Sequence, residues 1–150
     1  MIEINSSNCL MASEDIRIPF HDLDPGSVVW HGRYFKYFES ARTVLLEGIG
    51  YSYEEMIESG FLWPVVDAKI RYVRPLVLNQ NVRVTASLRE WELRLVVDYK
   101  ITDAQGLVYT KGRTVQVPVD AETLELEFGS PEILVQSVEK CLQALTIRND

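Results

Sequence analysis

The stretch "HDLDPGSVVWHGRYFKYFESARTVLLEGIG", His21 to Gly50, passes from turn chemistry straight into a helical spacing. Its first part, His21–Arg42, holds two aspartates, both histidines of the chain and five aromatic residues. Asp24-Pro25-Gly26 reads as an ordinary turn. From Tyr34 to Ile49 the apolar residues recur at helical intervals, and Gly48 or Gly50 is placed to end the helix. On a helical wheel, Lys36, Glu39, Ser40, Thr43 and Glu47 share a narrow polar arc. Tyr34, Phe35, Tyr37, Phe38, Ala41, Val44, Leu45, Leu46 and Ile49 cover most of the rest. A surface helix carries a narrower apolar stripe, so this one is expected to be wrapped on more than one side. Arg42 falls inside the apolar arc, which predicts a buried pair with Glu39 or with a second subunit.

Outward from that helix the period changes. Before it, Ile16, Ile18 and Phe20 alternate with Arg17 and Pro19, predicting a short strand with proline at an edge. After it, "YSYEEMIESG" predicts a short helix ending at Gly60. Residues 66–72, 82–89 and 93–101 alternate apolar and polar side chains, and "DAQG" suits a hairpin turn before a last strand from Leu107 to Val119, with Gly112 as a possible bulge. Ser130-Pro131-Glu132 reads as a helix start, giving a C-terminal helix over 130–146. The first dozen residues are polar and expected to be flexible. Short turns make consecutive strands antiparallel neighbours, so the fold class is α+β: a curved antiparallel sheet of about five strands around one long helix, a single domain over 1–150.

The whole chain sets limits. With 150 residues, 47% hydrophobic and 25% charged, it suits one compact domain rather than a disordered chain. Its net charge of −7 disfavours nonspecific attraction to nucleic acid or anionic membrane. Cys9 and Cys141 form no C-x-x-C pair, there is no secretory signal pattern, and no apolar run approaches the ~20 residues that span a bilayer. A reduced, cytoplasmic location is the plain expectation.

Asp22, Asp24, Val29, His31, Tyr34, Tyr37, Phe38, Glu39, Ala41 and Arg42 meet a motif of the form D-x-D-x-x-G-x-V-x-[HY]-x-x-Y-x-x-[YW]-[FL]-E-x-A-R at every position but one. With the strand pattern that follows, and with "WPVVD" and "VRPL", the chain resembles the hotdog-fold thioesterases of the 4-hydroxybenzoyl-CoA thioesterase type. The aryl-polyene pigment biosynthesis variants are the subgroup it is most similar to. The departure is Gly26-Ser27 where that family usually has A-G or G-G.

The resemblance implies a thioester hydrolase. The aspartate matching Asp24 attacks the thioester or activates water, and the amide at the position of His31 holds the thioester oxygen. The residues themselves support such chemistry: a carboxylate on a turn lies seven positions before a helix N-terminus, whose free N–H groups suit a developing oxyanion. Asp24 and His31 are thus the catalytic candidates, with the His31 imidazole able to orient water or protonate a leaving thiolate. Gly32 shares the helix start, and Trp30 and Tyr34 flank it as candidate pocket wall. Lys69, Arg71 and Arg74, with Lys111 and Arg113, are candidates for the phosphates of coenzyme A. Asp22 is read as a turn or capping residue and His21 as structural. His21, Asp22, Asp24 and His31 lack the fixed spacing of a metal site. No cofactor is implied beyond coenzyme A as part of an acyl- or aroyl-CoA substrate. An acyl carrier protein is a possible partner, although it is acidic like this chain. The family also implies a homodimer or a homotetramer, with strands Asn81–Glu90 and Leu107–Val119 as possible pairing edges. Two alternatives stay open: a hotdog 3-hydroxyacyl thioester dehydratase, whose H-F-P-type motif is missing, and a non-catalytic acyl-thioester binding module, for which Ser27 leaves room.

Overall fold

The computed structural model describes residues 2–149. In chain order the strands are β1 (Glu3–Ile4), β2 (Leu10–Arg17), β3 (Phe61–Leu62), β4 (Val65–Tyr72), β5 (Asn81–Glu90), β6 (Leu95–Thr102), β7 (Val108–Gln116) and β8 (Val119–Asp120). The helices are α1 (Tyr34–Ile49), α2 (Tyr53–Glu58) and α3 (Glu132–Asn149). Single 3-10 turns, Phe20–Asp22 and His31–Arg33, bracket the aspartate-rich turn before α1.

Helix α1 spans the residues its wheel predicts. Gly50 ends it in a left-handed conformation, φ 97°, which costs glycine little. Its Phe38, Ala41 and Leu45 are fully buried against Val84, Ala86 and Leu88 of β5 and Val97 and Ile101 of β6. Burial of the larger two, Phe38 and Leu45, contributes roughly 2 kcal/mol each. Phe38 lies flat on Tyr99, ring centroids 4.5 Å apart. Ser52 caps α2, with Glu55 closing the reciprocal capping box.

The main sheet has six strands rather than about five, in the order β1-β2-β5-β6-β7-β4, with every pairing antiparallel. β4 pairs with β7 and not with its sequence neighbour β5. Residues 73–80 are therefore a crossover and not a hairpin turn. They run from Tyr109, whose carbonyl accepts from the Val73 and Arg74 amides, to Ile18, whose carbonyl accepts from Asn79. The edges of the sheet are β1 and β4. Asn81–Glu90 and Leu107–Val119 lie inside it and cannot furnish a pairing edge.

Other expectations need correction. Within residues 2–12, β1 pairs with β2, Leu10 is buried, and the Ile2 side chain packs against Gly48. The first strand lies earlier than predicted, because the apolar alternation begins at Leu10 and Pro19, without an N–H, ends it. Phe20 is outside the sheet and exposed. The last strand breaks after Gln116, and Val119–Asp120 pair instead with Phe61–Leu62 in a separate two-stranded ribbon. Ser130 donates its hydroxyl to the Trp91 carbonyl rather than capping α3. Gly112 is no bulge, since it pairs in register with both Ile70 and Tyr99. It is needed because any side chain there would collide with the Phe38 ring.

Gly112→Val should therefore displace Phe38 from Tyr99 and destabilise the fold by about 2–3 kcal/mol, read from urea unfolding. A midpoint equal to that of the parent protein would refute this account of the glycine.

Candidate functional site

The turn before α1 is fixed at both ends by backbone bonds. The Asp24 amide donates to the Val28 carbonyl (2.8 Å) and Ser27 N–H to the Asp24 carbonyl (3.0 Å). The Val29 amide donates to Leu76 (2.9 Å), and Val28 bridges Val77, so the turn is laid on the 73–80 crossover. Ser27 takes φ 65°, a left-handed conformation that costs a non-glycine residue about 1 kcal/mol. This is the position where the family motif has glycine.

Asp22 is the anchor of this region. It is only 1% exposed, and its two carboxylate oxygens each lie 2.9 Å from Lys36 Nζ. Tyr37 donates its hydroxyl to Oδ2 at 2.6 Å, and Arg33 Nε stands 3.7 Å from Oδ1. Burial pushes the Asp22 carboxyl upward, yet the hydrogen bonds from Tyr37 and Lys36 and the Lys36 charge outweigh it and hold the group below the ordinary aspartate range. Burial and the Asp22 carboxylate push Tyr37 upward, so its hydroxyl stays a donor. Asp22 is thus neither a turn former nor a cap. It is a buried clamp that ties the turn to the first helical turns of α1.

With that clamp in place, Asp24 and the helix start face one cleft of about 290 Å³. Asp24, His31, Tyr34, Tyr72 and Arg74 line it, with Val28, Val29, Val73 and Pro75. Asp24 is half-buried and accepts from the Gly26 amide through Oδ1 (2.7 Å); a side chain on Gly26 would press on that oxygen. Neither Trp30, at the cap of the 3-10 turn, nor Arg33, at the cap of α1, supplies a side-chain hydrogen bond. Among the described residues the His31 and Gly32 amides have no backbone acceptor. The positive end of α1 is therefore open toward the cleft. Tyr72 donates to the His31 carbonyl (2.8 Å) and meets Tyr34 edge to face, centroids 4.9 Å apart. Burial raises both phenols, keeping them neutral.

Residues 18–140 match the family model described as the thioesterase-like superfamily. The chain belongs to this superfamily. YneP of Bacillus subtilis (strain 168), an acyl-CoA thioesterase by name, is 27% identical over 116 residues, 77% of this chain and 84% of that protein. The protein sll0410 of Synechocystis, named an esterase, is 35% identical over 75 residues, half of this chain and 45% of its own length. The crystal structure of a DHNA-CoA thioesterase from Staphylococcus aureus superposes with a TM-score of 0.78 at 24% identity, covering 93% of this chain and 95% of that one. That last likeness is one of fold.

Against this thioesterase-like frame, the expected site residues divide into two groups. Asp24, His31, Tyr34 and Arg74 share the cleft, whereas Gly32, in the 3-10 turn beside His31, does not line it. Trp30 does not line it. Val29 before it is buried, so the next side chain in an extended segment points the other way. The Trp30 ring instead lies over Gly32, 5.2 Å from the His31 ring and 5.9 Å from the Arg33 guanidinium, and stays 46% exposed. Lys69 and Arg71 are on the other face of the sheet, beside Lys111 and Arg113. Arg74 is apart from them and donates to the Val108 carbonyl (2.5 Å). His21 is exposed, 3.9 Å from Asp22. Arg42 reaches Glu39 at 3.4 Å, but the Glu39 side chain is 67% exposed, so the pair is not the buried one expected; the more sheltered guanidinium also donates to the Tyr99 hydroxyl. Tyr72 escaped the sequence reading. Its signal was its place at the end of the β4 alternation, in phase with the inward-facing Ile70.

Asp22 contributes stability that is complete above pH ~4 and is lost as pH falls through its depressed folded value. Asp22→Ala should cost about 2 kcal/mol at neutral pH, because Tyr37 loses its acceptor and Lys36 its counter-charge. The variant should also show a shallower loss of stability than the parent between pH ~5 and the acid limit. Parallel acid-unfolding curves would remove Asp22 as the clamp.

Proposed function

We propose that this chain hydrolyses acyl-CoA thioesters at the Asp24 cleft. The observation that carries the reading is that a half-buried carboxylate and the uncapped start of a buried helix border the same small cavity. The thioesterase-like family and the acyl-CoA thioesterase name of YneP supply the substrate class.

In this reading the thioester oxygen sits on the His31 and Gly32 amides, where the helix dipole favours the negative charge that develops on it. Asp24 acts from the opposite side as general base or nucleophile. As base, it takes a proton from water while the water oxygen bonds to the carbonyl carbon. The π pair moves onto the held oxygen, then returns as the C–S bond breaks, and the thiolate leaves with a proton. As nucleophile, the carboxylate forms that bond itself, and water then opens the resulting anhydride. The Gly26 amide holds Oδ1, and among the described residues Oδ2 has no donor, so one oxygen is left for either role. The His31 imidazole lies at the cleft rim to protonate the thiolate. The thioester reaches the cleft on coenzyme A or on an acyl carrier protein, and the same arm of the substrate serves both.

Asp24→Asn keeps the Gly26 contact within reach and should leave the melting temperature unchanged. It should lower thiol release from an acyl- or aroyl-CoA panel at least about a hundred-fold. Undiminished turnover would end the hydrolase assignment to Asp24. Binding of CoA esters by the parent protein without any thiol release would favour a binding module instead. Oxygen-18 incorporation into Asp24 in a single turnover separates nucleophile from base.

The proposed working unit is a homodimer or a tetramer built from dimers, with the second copy along β4. That strand is a free edge, and its Val65, Val66 and Tyr72 are exposed. Val66→Lys should shift the elution mass of a dimeric parent toward the monomer. A parent protein that runs as a monomer at all concentrations would refute the pairing.

A further inference from the structure

The His31 and Gly32 amides, which have no backbone acceptor among the described residues, stand on a turn with little to hold it. The 3-10 turn His31–Arg33 contains no buried residue and takes no side-chain cap. The Trp30 ring lies over Gly32, and Arg33 Nε stands 3.7 Å from Asp22. Among the described residues neither of those side chains bonds to the backbone of the turn. One bond does reach it from the sheet: the Tyr72 hydroxyl donates to the His31 carbonyl at 2.8 Å. The carbonyl before it, that of Trp30, is held from within the turn by the Arg33 amide at 2.9 Å. Two successive peptides thus have a bonded oxygen and an open N–H, the first through a local bond and the second through β4.

Tyr72 is itself firmly placed. It closes β4 opposite Thr110 of β7, and the next two amides, Val73 and Arg74, both donate to the Tyr109 carbonyl at 2.9 Å. Its ring meets that of Tyr34 edge to face, centroids 4.9 Å apart, and Tyr34 is 2% exposed. Tyr34 in turn meets Tyr37 at 6.3 Å, and Tyr37 donates to the Asp22 clamp. The phenol is therefore aimed by the same packed residues that fix the start of α1. Burial pushes Tyr72 upward, so it keeps at neutral pH the proton it donates.

The consequence for the amide follows from bond geometry. In a planar trans peptide the N–H points opposite to the C=O, so a hydroxyl that holds the His31 oxygen toward β4 fixes the direction of the Gly32 N–H. A donor on the carbonyl also polarises the peptide and strengthens its N–H as a donor. A phenol has one proton to give, and here the carbonyl takes it. Tyr72 can thus act on the reaction through the peptide and not on the substrate directly.

We propose that Tyr72 is a positioning residue for thioester hydrolysis: through the His31 carbonyl it sets the direction and the strength of the Gly32 amide that receives the developing oxyanion. The proposal rests on the hydrolase reading of the cleft. It makes the last residue of an edge strand part of the oxyanion site at the start of α1.

Tyr72→Phe keeps the ring against Tyr34 and removes only the hydroxyl. It should lower kcat for thiol release from an acyl- or aroyl-CoA about ten-fold while KM stays within about two-fold, because the charge the amide meets develops only in the transition state. The elution mass should match that of the parent protein. The melting temperature should fall by no more than about 4 °C, the worth of one exposed hydrogen bond in a chain of this size. The nitrogen-15 resonance of the Gly32 amide should move in the variant, since it reports the bonding of the carbonyl that precedes it. Parent kcat in Tyr72→Phe, with Asp24→Asn inactive, overturns the role of Tyr72 and leaves the hydrolase reading standing. A rise in KM at unchanged kcat also overturns it, because the phenol would then be contacting substrate. So does a fall in kcat with no movement of the Gly32 resonance. Absence of thiol release from the parent protein ends both readings together.

Discussion

The contact on which the site depends is the buried carboxylate of Asp22 between Lys36 and Tyr37. A turn of eight residues between two 3-10 segments has many conformations open to it, and loop entropy favours spreading among them. Asp22 removes that freedom by joining the start of the turn to the first helical turn of α1, and its carbonyl accepts from the Trp30 amide at the other end. The helix itself cannot shift to accommodate a different turn, because Phe38 is held between Tyr99 and Gly112. The position of Asp24 relative to the His31 amide thus follows from core packing relayed through one carboxylate. The two aspartates of the motif divide the work: the buried one is fully bonded and the half-buried one keeps an oxygen free.

Much of this was legible in the sequence, and the boundary of legibility has a physical cause. Local period announces local structure, so α1 was readable to the residue and β4, β5 and β6 to within one or two, whereas the first strand begins six residues earlier than its reading and the last breaks three residues sooner. Partner choice among strands is not local. Nothing in residues 65–90 says that β4 leaves β5 for the far side of β7, since that pairing depends on the crossover at 73–80 finding Ile18 and the Asp24 turn. The role of Asp22 was hidden for the same reason: a carboxylate in turn chemistry looks alike whether it is solvated or buried under a lysine fourteen residues away. Trp30 was misplaced because proximity along the chain was taken as proximity in the cleft, whereas the buried Val29 forces its neighbour outward.

The glycine and serine of the turn carry a related lesson. Gly26 has no side chain to press on Asp24 Oδ1, so the carboxylate can accept from its amide. Ser27 holds a left-handed conformation that the family usually gives to glycine. The chain therefore adopts this turn at a small conformational cost, about what one exposed hydrogen bond contributes. A departure in sequence need not be a departure in geometry when neighbouring bonds, here Ser27 N–H to Asp24 and Asp24 N–H to Val28, fix the same path.

Net charge was the weakest guide. A value of −7 describes the field far from the molecule, where an anionic thioester is repelled. Within a Debye length of ~8 Å the local arrangement governs instead, and the outer sheet face presents Lys69, Arg71, Lys100 and Lys111, which have no ion-pair partner among the described residues. Alternation along β4, β6 and β7 makes this segregation possible, since one face of each strand is taken by the core and the other is free to collect charge of one sign. Along β4, Arg71 lies on the cationic face and Tyr72 faces the cleft of Asp24, so successive residues of one strand serve surfaces of different character.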